Sequence, residues 1–506
     1  MSFNLINEAS LYLREYNDTL INWHTWTEET LQRAKDTKKP IFLSIGYSGS
    51  ALCKRMKKDS FNDRGVSKLL NENFISIKVD KDERADIDKY YKQIYKLMNG
   101  QNCSSPLSIF MSENLEPFYS VAYIPTHQKG NILGFQELLK VIIDKYKNDK
   151  STMVEKGQEV LSHLSQKSIK IEATKLNKNI VNIVDKHFNE LFDKKNGGFG
   201  NMPKFLQTST LDLMFTQYNL TKNREILEKA LFTLKQMTQR EIYDSKIGGF
   251  YRYANEKDWS RPRLEKISLD NANISSIYIE AYKITKDDFY KDIAFKTVDF
   301  ILNDMSKDYL FYSNLLENQD GSIFIDNKII TSTNAMMIDT LFNASTIDHK
   351  YYDITVKSID KILEKYYIDG ELYHTENIKA FLEDYAYLGV ALLNAYMVTD
   401  NREYLILSQT ILNKAIDKFY DYGKWKFSKS DITVYDDIYD LSYPSAISTI
   451  LYLIETISPL VEGEYSEFLF KTLEINSYNL MRQPLSSPKM TKVLLLYLEN
   501  DIISKK

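Results

Sequence analysis

Residues 39–56, KPIFLSIGYSGSALCKRM, constrain this chain more than any other stretch. Ile41 to Tyr47 is an apolar run of strand length that follows Pro40 and ends at Ser-Gly-Ser. Such a run suits a central strand buried on both faces. Ser50 is a good helix N-cap, and helix-compatible residues follow it. A buried strand feeding directly into a helix calls for an α/β layer at this end of the chain. Ser50 and Cys53 stand in S-x-x-C spacing. Dithiol exchange needs one sulfur to attack and a second to resolve the mixed disulfide, and this segment supplies only one.

The chain has 506 residues, room for two or more domains. Its formal charge of −4 gives no electrostatic basis for binding nucleic acid or an anionic membrane. Cys53 and Cys103 are the two cysteines, too few for a secreted disulfide framework. The first residues, MSFNLINEASLYLREYN, lack the basic start and apolar stretch of a signal peptide. No run reaches the roughly 20 apolar residues of a membrane span. These features lead us to expect a cytoplasmic protein.

Residues 1–150 alternate strand and helix patterns in the order β-α-β-α-β-β-α. Residues 151–177 are charged and are expected to form a helical connector. From 178 to 506 the helical period dominates, with about twelve helices starting near 178, 208, 223, 268, 288, 332, 351, 382, 402, 444, 464 and 487. Paired consecutively, they make six hairpins, which close into an all-α (α/α)6 toroid barrel. An open helical solenoid is the alternative, although no repeat of fixed period is present. Loops between helices carry NGGFGNMPKF (196–205), GGFYRYANEKDWSRPRLEKISLDNA (248–272), FLEDYAYL (381–388) and DLSYPSAIS (440–448). Gly-Gly beside aromatic and charged residues is the composition of a pocket mouth.

Together these segments resemble the thioredoxin-domain family of spermatogenesis-associated protein 20. The resemblance rests on Asn7, Glu8, Ser10, Tyr12, Leu13, Trp23 and Trp26, then on KPIFLSIGYS and KVDKDERADID. GGFG…PKF, GGFYRY…DW…P…EK…DNA and LEDYA follow in family order. It implies an α/β thioredoxin-like domain followed by a barrel like that of N-acylglucosamine 2-epimerase and the six-hairpin glycosidases. The departures fall at the presumed chemistry. The family's CHWCH is Ser50-Ala51-Leu52-Cys53-Lys54 here, and its His-Phe-Glu-Lys is Arg263-Leu264-Glu265-Lys266.

The resemblance makes Ser50, Cys53, Cys103 and Pro106 the thioredoxin-like site. Pro106 corresponds to a proline that is cis in that fold, which brings Cys103 toward Cys53 as a candidate disulfide partner. Cys53 alone would support monothiol redox chemistry. In the barrel, Glu265, Asp270, Glu383 and Asp384 are the carboxylates available for glycosidase- or epimerase-like acid–base work. Arg252, Tyr253, Trp259, Arg263, Lys266 and Asn271 are the candidate ligand-pocket residues. Glu265 with Lys266 and Arg252 serves equally well as a salt-bridge network ordering the loops. The six histidines are scattered without metal-ligand spacing, so no metal or other cofactor is expected. The leading expectation is a noncatalytic or weakly redox-active binding protein. Its barrel would take a small polar ligand such as a carbohydrate, and its thioredoxin-like face a protein partner.

Overall fold

The computed structural model describes residues 5–130, 132–165, 172–318, 320–430 and 432–503. The chain divides into two compact units, residues 1–171 and 172–506.

The first unit runs α1 (Leu11–Arg14), β1 (Trp23–His24), α2 (Glu28–Thr37), β2 (Ile41–Gly46), α3 (Ala51–Met56), α4 (Arg64–Asn73), β3 (Ile75–Asp80), α5 (Ala85–Asn99), β4 (Leu107–Met111), β5 (Pro117–Val121), α6 (Phe135–Asn148) and α7 (Lys150–Ser165). Its sheet has the order β1-β3-β2-β4-β5. β1, β3 and β2 are parallel, and β4 and β5 are antiparallel. Every residue of β2 and β3 is buried, as in a central strand covered on both faces; β3 alternates Ile75, Ile77 and Val79 with the buried polar Ser76, Lys78 and Asp80. On one face Phe42 stacks on Phe110 at 4.9 Å, with Trp23, Phe61 and Phe135 edge-on or tilted around it. The two-residue edge strand β1 is too short to leave a periodic signature. Lys150–Ser165 packs on β5 and α5 as a helix of this unit. Residues 166–171 of the expected connector lie outside the described residues.

The second unit contains twelve α-helices among its described residues: α8 (Ile180–Leu191), α9 (Thr208–Thr221), α10 (Arg224–Thr238), α11 (Ser268–Thr285), α12 (Asp288–Asp304), α13 (Thr331–Ser345), α14 (Tyr352–Tyr366), α15 (Leu382–Thr399), α16 (Arg402–Phe419), α17 (Ala446–Ile457), α18 (Ser466–Leu480) and α19 (Pro488–Ile503). Burial separates them into two rings. α13 buries 13 of its 15 residues, whereas α10 buries 5 of 15. The odd-numbered helices α9 to α19 form the inner ring, each touching the next, and α19 returns to touch α9. That contact closes an (α/α)6 barrel and rules out the open solenoid.

Connections from inner to outer helices are tight, as from Thr221 to Arg224 and from Thr399 to Arg402. Connections from outer to inner helices are long, as from Thr238 to Ser268, and carry short strands. The long loops therefore gather at the N-terminal ends of the inner helices. Among the described residues no helix is long and apolar enough to cross a membrane.

Candidate functional site

The loop residues at the N-terminal ends of the inner helices that the sequence singled out are bound into the scaffold. Asn271, fourth residue of α11, accepts from Phe250 N at 2.6 Å and donates to Phe250 O at 3.0 Å and Ile267 O at 2.9 Å. Asn334, fourth residue of α13, repeats this with Phe311 N and O at 2.8 and 3.0 Å and Ile330 O at 3.0 Å. Each asparagine thus pins an aromatic residue of the incoming loop to the helix start. Gly249 sits beside this clamp at φ +83°, and a Cβ there would lie 2.6 Å from the Phe300 ring.

The charged residues of these loops are paired in the same way. Asp244 caps its Gly-Gly loop by accepting from Lys246 N and Ile247 N, and Lys266 Nζ meets its other oxygen at 2.7 Å. Burial outweighs the Asp244 charge and holds the Lys266 ammonium below the usual lysine value. Arg252 Nη1 lies 3.3 Å from Glu265 Oε2. Trp259 is 1% exposed, donates from Nε1 to Asn196 O at 2.9 Å, and lies under the Lys204 ammonium. Its face is closed to a sugar ring, contrary to expectation; Lys266 and Asn271, each 0% exposed, are likewise buried. Tyr253 is half-buried against Phe205, and Arg263 N donates to Tyr253 O at 2.9 Å. Asp270 is buried in the first turn of α11.

Asp384 accepts from Ser332 N and Phe381 N at 3.0 and 2.8 Å, and both its oxygens lie 2.9 Å from His374 Nδ1. Glu383 accepts from Tyr443 Oη at 3.3 Å. His374, Glu383 and Asp384 are all buried and cluster within 4.8 Å. With both Asp384 oxygens bound to backbone N–H groups, the cluster is a hydrogen-bonded knot joining α13, α15 and the strand at Glu371–Thr375. The sequence reading missed His374 as a partner because the pair is separated by ten residues across a strand and a helix start.

In the thioredoxin-like unit Ser50 caps α3, accepting from Cys53 N at 3.2 Å and donating to Ser105 O at 3.2 Å. The Ser105–Pro106 peptide is cis, as the resemblance implied. Cys53 and Cys103 are both free, so the candidate disulfide is not formed. Cys53 is 1% exposed, sealed under Gly46, where any Cβ would collide with its sulfur and with Tyr12 Oη. Burial pushes the Cys103 thiol up to about 11. Cys53 lacks the exposure, and Cys103 the lowered pKa, of a reactive cysteine.

The open space lies inside the barrel. A cavity of about 680 Å³ runs along the inner helices. Its lining reaches the C-terminal ends of the inner helices, where Met397 and Leu460 are exposed, so it opens at the end with the short connections. At depth it presents Asp212, Asp339, Tyr452, Lys489 and Lys492. Lys492 Nζ donates to both oxygens of Asp212 at 2.8 and 2.9 Å, and Lys489 Nζ stands 3.6 Å from Asp212 Oδ2. Burial would raise the Asp212 carboxyl, but Lys492 and Lys489 outweigh it and hold it below the usual aspartate value. Asp339 takes a hydrogen bond from Asn394 Nδ2 at 2.9 Å, yet burial pushes its carboxyl up. The two carboxyls on the lumen wall are thus shifted in opposite directions, Asp212 down by its lysines and Asp339 up by burial. None of the individually nominated catalytic or ligand-pocket residues lines this cavity; from the loop segments singled out in the sequence, Tyr387 and Pro444 do.

A signal for the lumen was present in the sequence. The inner helices carry polar residues at three- and four-residue steps within otherwise apolar surfaces. Examples are Asp212, Thr216 and Asn219 on α9, and Asn273, Ser276, Glu280 and Lys283 on α11.

Comparison with known proteins agrees with this architecture. Residues 2–165 match the family model Thioredox_DsbH, described as a protein of unknown function, DUF255. Spermatogenesis-associated protein 20 of Rattus norvegicus is 32% identical over 310 residues, 60% of this chain and 39% of that protein. The match thus spans about two fifths of the length of that curated relative. Cellobiose 2-epimerase from Bacillus thermoamylovorans superposes with a TM-score of 0.51 at 14% identity, over 64% of this chain and 100% of that one. A D-mannose isomerase does so with a TM-score of 0.51 at 13% identity, over 64% and 98%. At these identities the structural likeness establishes the barrel fold. The chain is thus similar to the Thioredox_DsbH family model over residues 2–165 and to spermatogenesis-associated protein 20 over part of that protein's length.

Proposed function

We propose that this protein binds a small polyhydroxylated ligand, a mono- or disaccharide, in the lumen of its barrel. The observation that carries the reading is the cavity of about 680 Å³, whose wall sets asparagines, carboxylates and lysines among apolar residues such as Phe215, Ile277 and Leu393 rather than being filled by side chains. That volume lies within the usual range for small-molecule sites, about 300–1,000 Å³. Carboxylate, amide and ammonium groups in one cleft match a ligand whose surface alternates hydroxyl donors and acceptors. The two solved barrels with the same fold are named for action on sugars, which favours this class among polar ligands.

The thioredoxin-like domain takes no part in dithiol exchange under this reading, because Ser50 cannot attack a disulfide as a thiolate does. Its role is as a binding face for a protein partner. Two unpaired thiols fit a reducing, cytoplasmic setting.

A thermal-shift screen of the full chain against monosaccharides, disaccharides, sugar phosphates and thiol metabolites tests the reading. A ligand that binds only the folded state raises its stability. A saturable rise with one sugar class supports it, and no rise with any sugar at millimolar concentration contradicts it.

A further inference from the structure

We propose that Lys489 is a carbonyl-reactive amine that condenses with the open-chain aldehyde of an aldose held in the barrel lumen. The proposal rests on the sugar reading of the cavity and adds a covalent step to it.

The geometry separates two lysines that the sequence makes equivalent. Lys489 and Lys492 lie three residues apart on α19, both facing the lumen and the same carboxylate. Lys492 takes both oxygens of Asp212 in short hydrogen bonds. That pairing raises its pKa despite burial and removes it as a nucleophile. Lys489 is left with the longer 3.6 Å approach to Asp212 Oδ2, beyond a good hydrogen bond. Its Nζ rests 3.9 Å from the centre of the Tyr452 ring, and 14% of the side chain remains exposed.

The electrostatics act in the same direction. Burial and the neighbouring Lys492 cation lower the Lys489 ammonium from 10.5 to about 8. Asp212 on α9, Asp339 on α13 and Asp440 on the loop before α17 oppose the shift without cancelling it. A lysine desolvated beside a second cation is the recognised way to obtain a neutral amine near physiological pH. Exposed lysines at pH 8 are almost wholly protonated.

The step balances without an added oxidant or reductant. The Lys489 nitrogen lone pair adds to the aldehyde carbon, and the carbonyl oxygen gains a proton to give a carbinolamine. Loss of water then leaves a C=N bond between lysine and C1 of the sugar. One aldehyde and one amine give one imine and one water.

The test uses the full-length protein with glyceraldehyde as the aldehyde probe and cyanoborohydride to reduce any imine, followed by peptide mapping. The expected result is preferential labelling of Lys489 over exposed lysines by roughly tenfold or more at pH 8. The labelling should rise with a midpoint near the Lys489 value of about 8. Lys489→Arg and Lys489→Met should each remove this adduct, Lys489→Arg keeping the charge beside Asp212 and so the parent's melting transition. Labelling spread over surface lysines, with Lys489 no richer than the rest, would overturn the proposal. Thermal shift with a non-aldehyde polyol, sorbitol, separates the two readings. A shift with sorbitol and no Lys489 adduct leaves the sugar cavity standing and removes the covalent step. An adduct on Lys489 without any polyol or sugar shift supports the reactive amine and contradicts the sugar pocket.

Discussion

Lys492 on the last inner helix grips the Asp212 carboxylate on the first inner helix through two hydrogen bonds of 2.8 and 2.9 Å. The two residues are 280 positions apart, and their pairing joins the ends of the helical ring. Removing one member leaves a largely desolvated charge without its counterpart. We expect Lys492→Met or Asp212→Asn to destabilise the barrel by about 2–4 kcal/mol. Asp212→Asn combined with Lys492→Met should recover part of that loss. Urea unfolding followed by far-UV circular dichroism measures all three, and single variants within 0.5 kcal/mol of the parent would contradict the ring-closing role.

Asn271 holds both backbone groups of Phe250. Asn271→Ala leaves a buried N–H and C=O without that partner, at a cost of about 2 kcal/mol. The melting temperature should fall by several degrees. An unchanged melting curve would show that the clamp does not carry the loop.

Lys78 is buried in the first unit, donating to Ser44 Oγ at 3.0 Å with its Nζ 3.8 Å from the Tyr16 ring centre. Burial lowers its pKa from 10.5 to about 7. Between these values the unfolded chain binds more protons at this site than the folded chain does. This site therefore adds stability as pH rises from 7 toward 10, by at most about 1.4 kcal/mol per pH unit. The stability of Lys78→Met relative to the parent should accordingly shrink across that range. A difference independent of pH, measured by denaturant titration at several pH values, would remove this account.

Cys53 is sealed at 1% exposure, and the Cys103 thiol is pushed up to about 11. A chromogenic disulfide reagent should react slowly with the native protein at pH 7.5 and quickly with two thiols in guanidinium. The parent should show no disulfide-reductase activity on insulin. Rapid reaction of Cys53 in the native state would revive the monothiol reading.

The fold was largely legible in the sequence because its determinants are periodic. All twelve barrel helices begin within two residues of the expected positions. Their caps and apolar stripes are local signals, and alternating tight and long connections dictate hairpins. The β2–α3 junction was equally plain, since Ile41–Gly46 is buried throughout and Ser50 is a true N-cap. The site was less legible for two reasons. Glu265, Asn271 and Asp384 follow the motif order, yet their bonds hold loops to helix starts. The lumen residues carry no motif, and a polar stripe such as Asp212, Thr216 and Asn219 reads as a solvent-facing surface until the ring closes around it.

Calorimetric titration of the full-length protein with the sugar giving the largest thermal shift, alongside Asn273→Trp, tests the central claim most directly. Asn273 lines the lumen, and an indole there would occupy the ligand's space. The account predicts saturable one-site binding to the parent and at least a tenfold weaker affinity for a folded Asn273→Trp protein. Equal affinity in both proteins, or no binding to the parent, would contradict a ligand site in the barrel lumen.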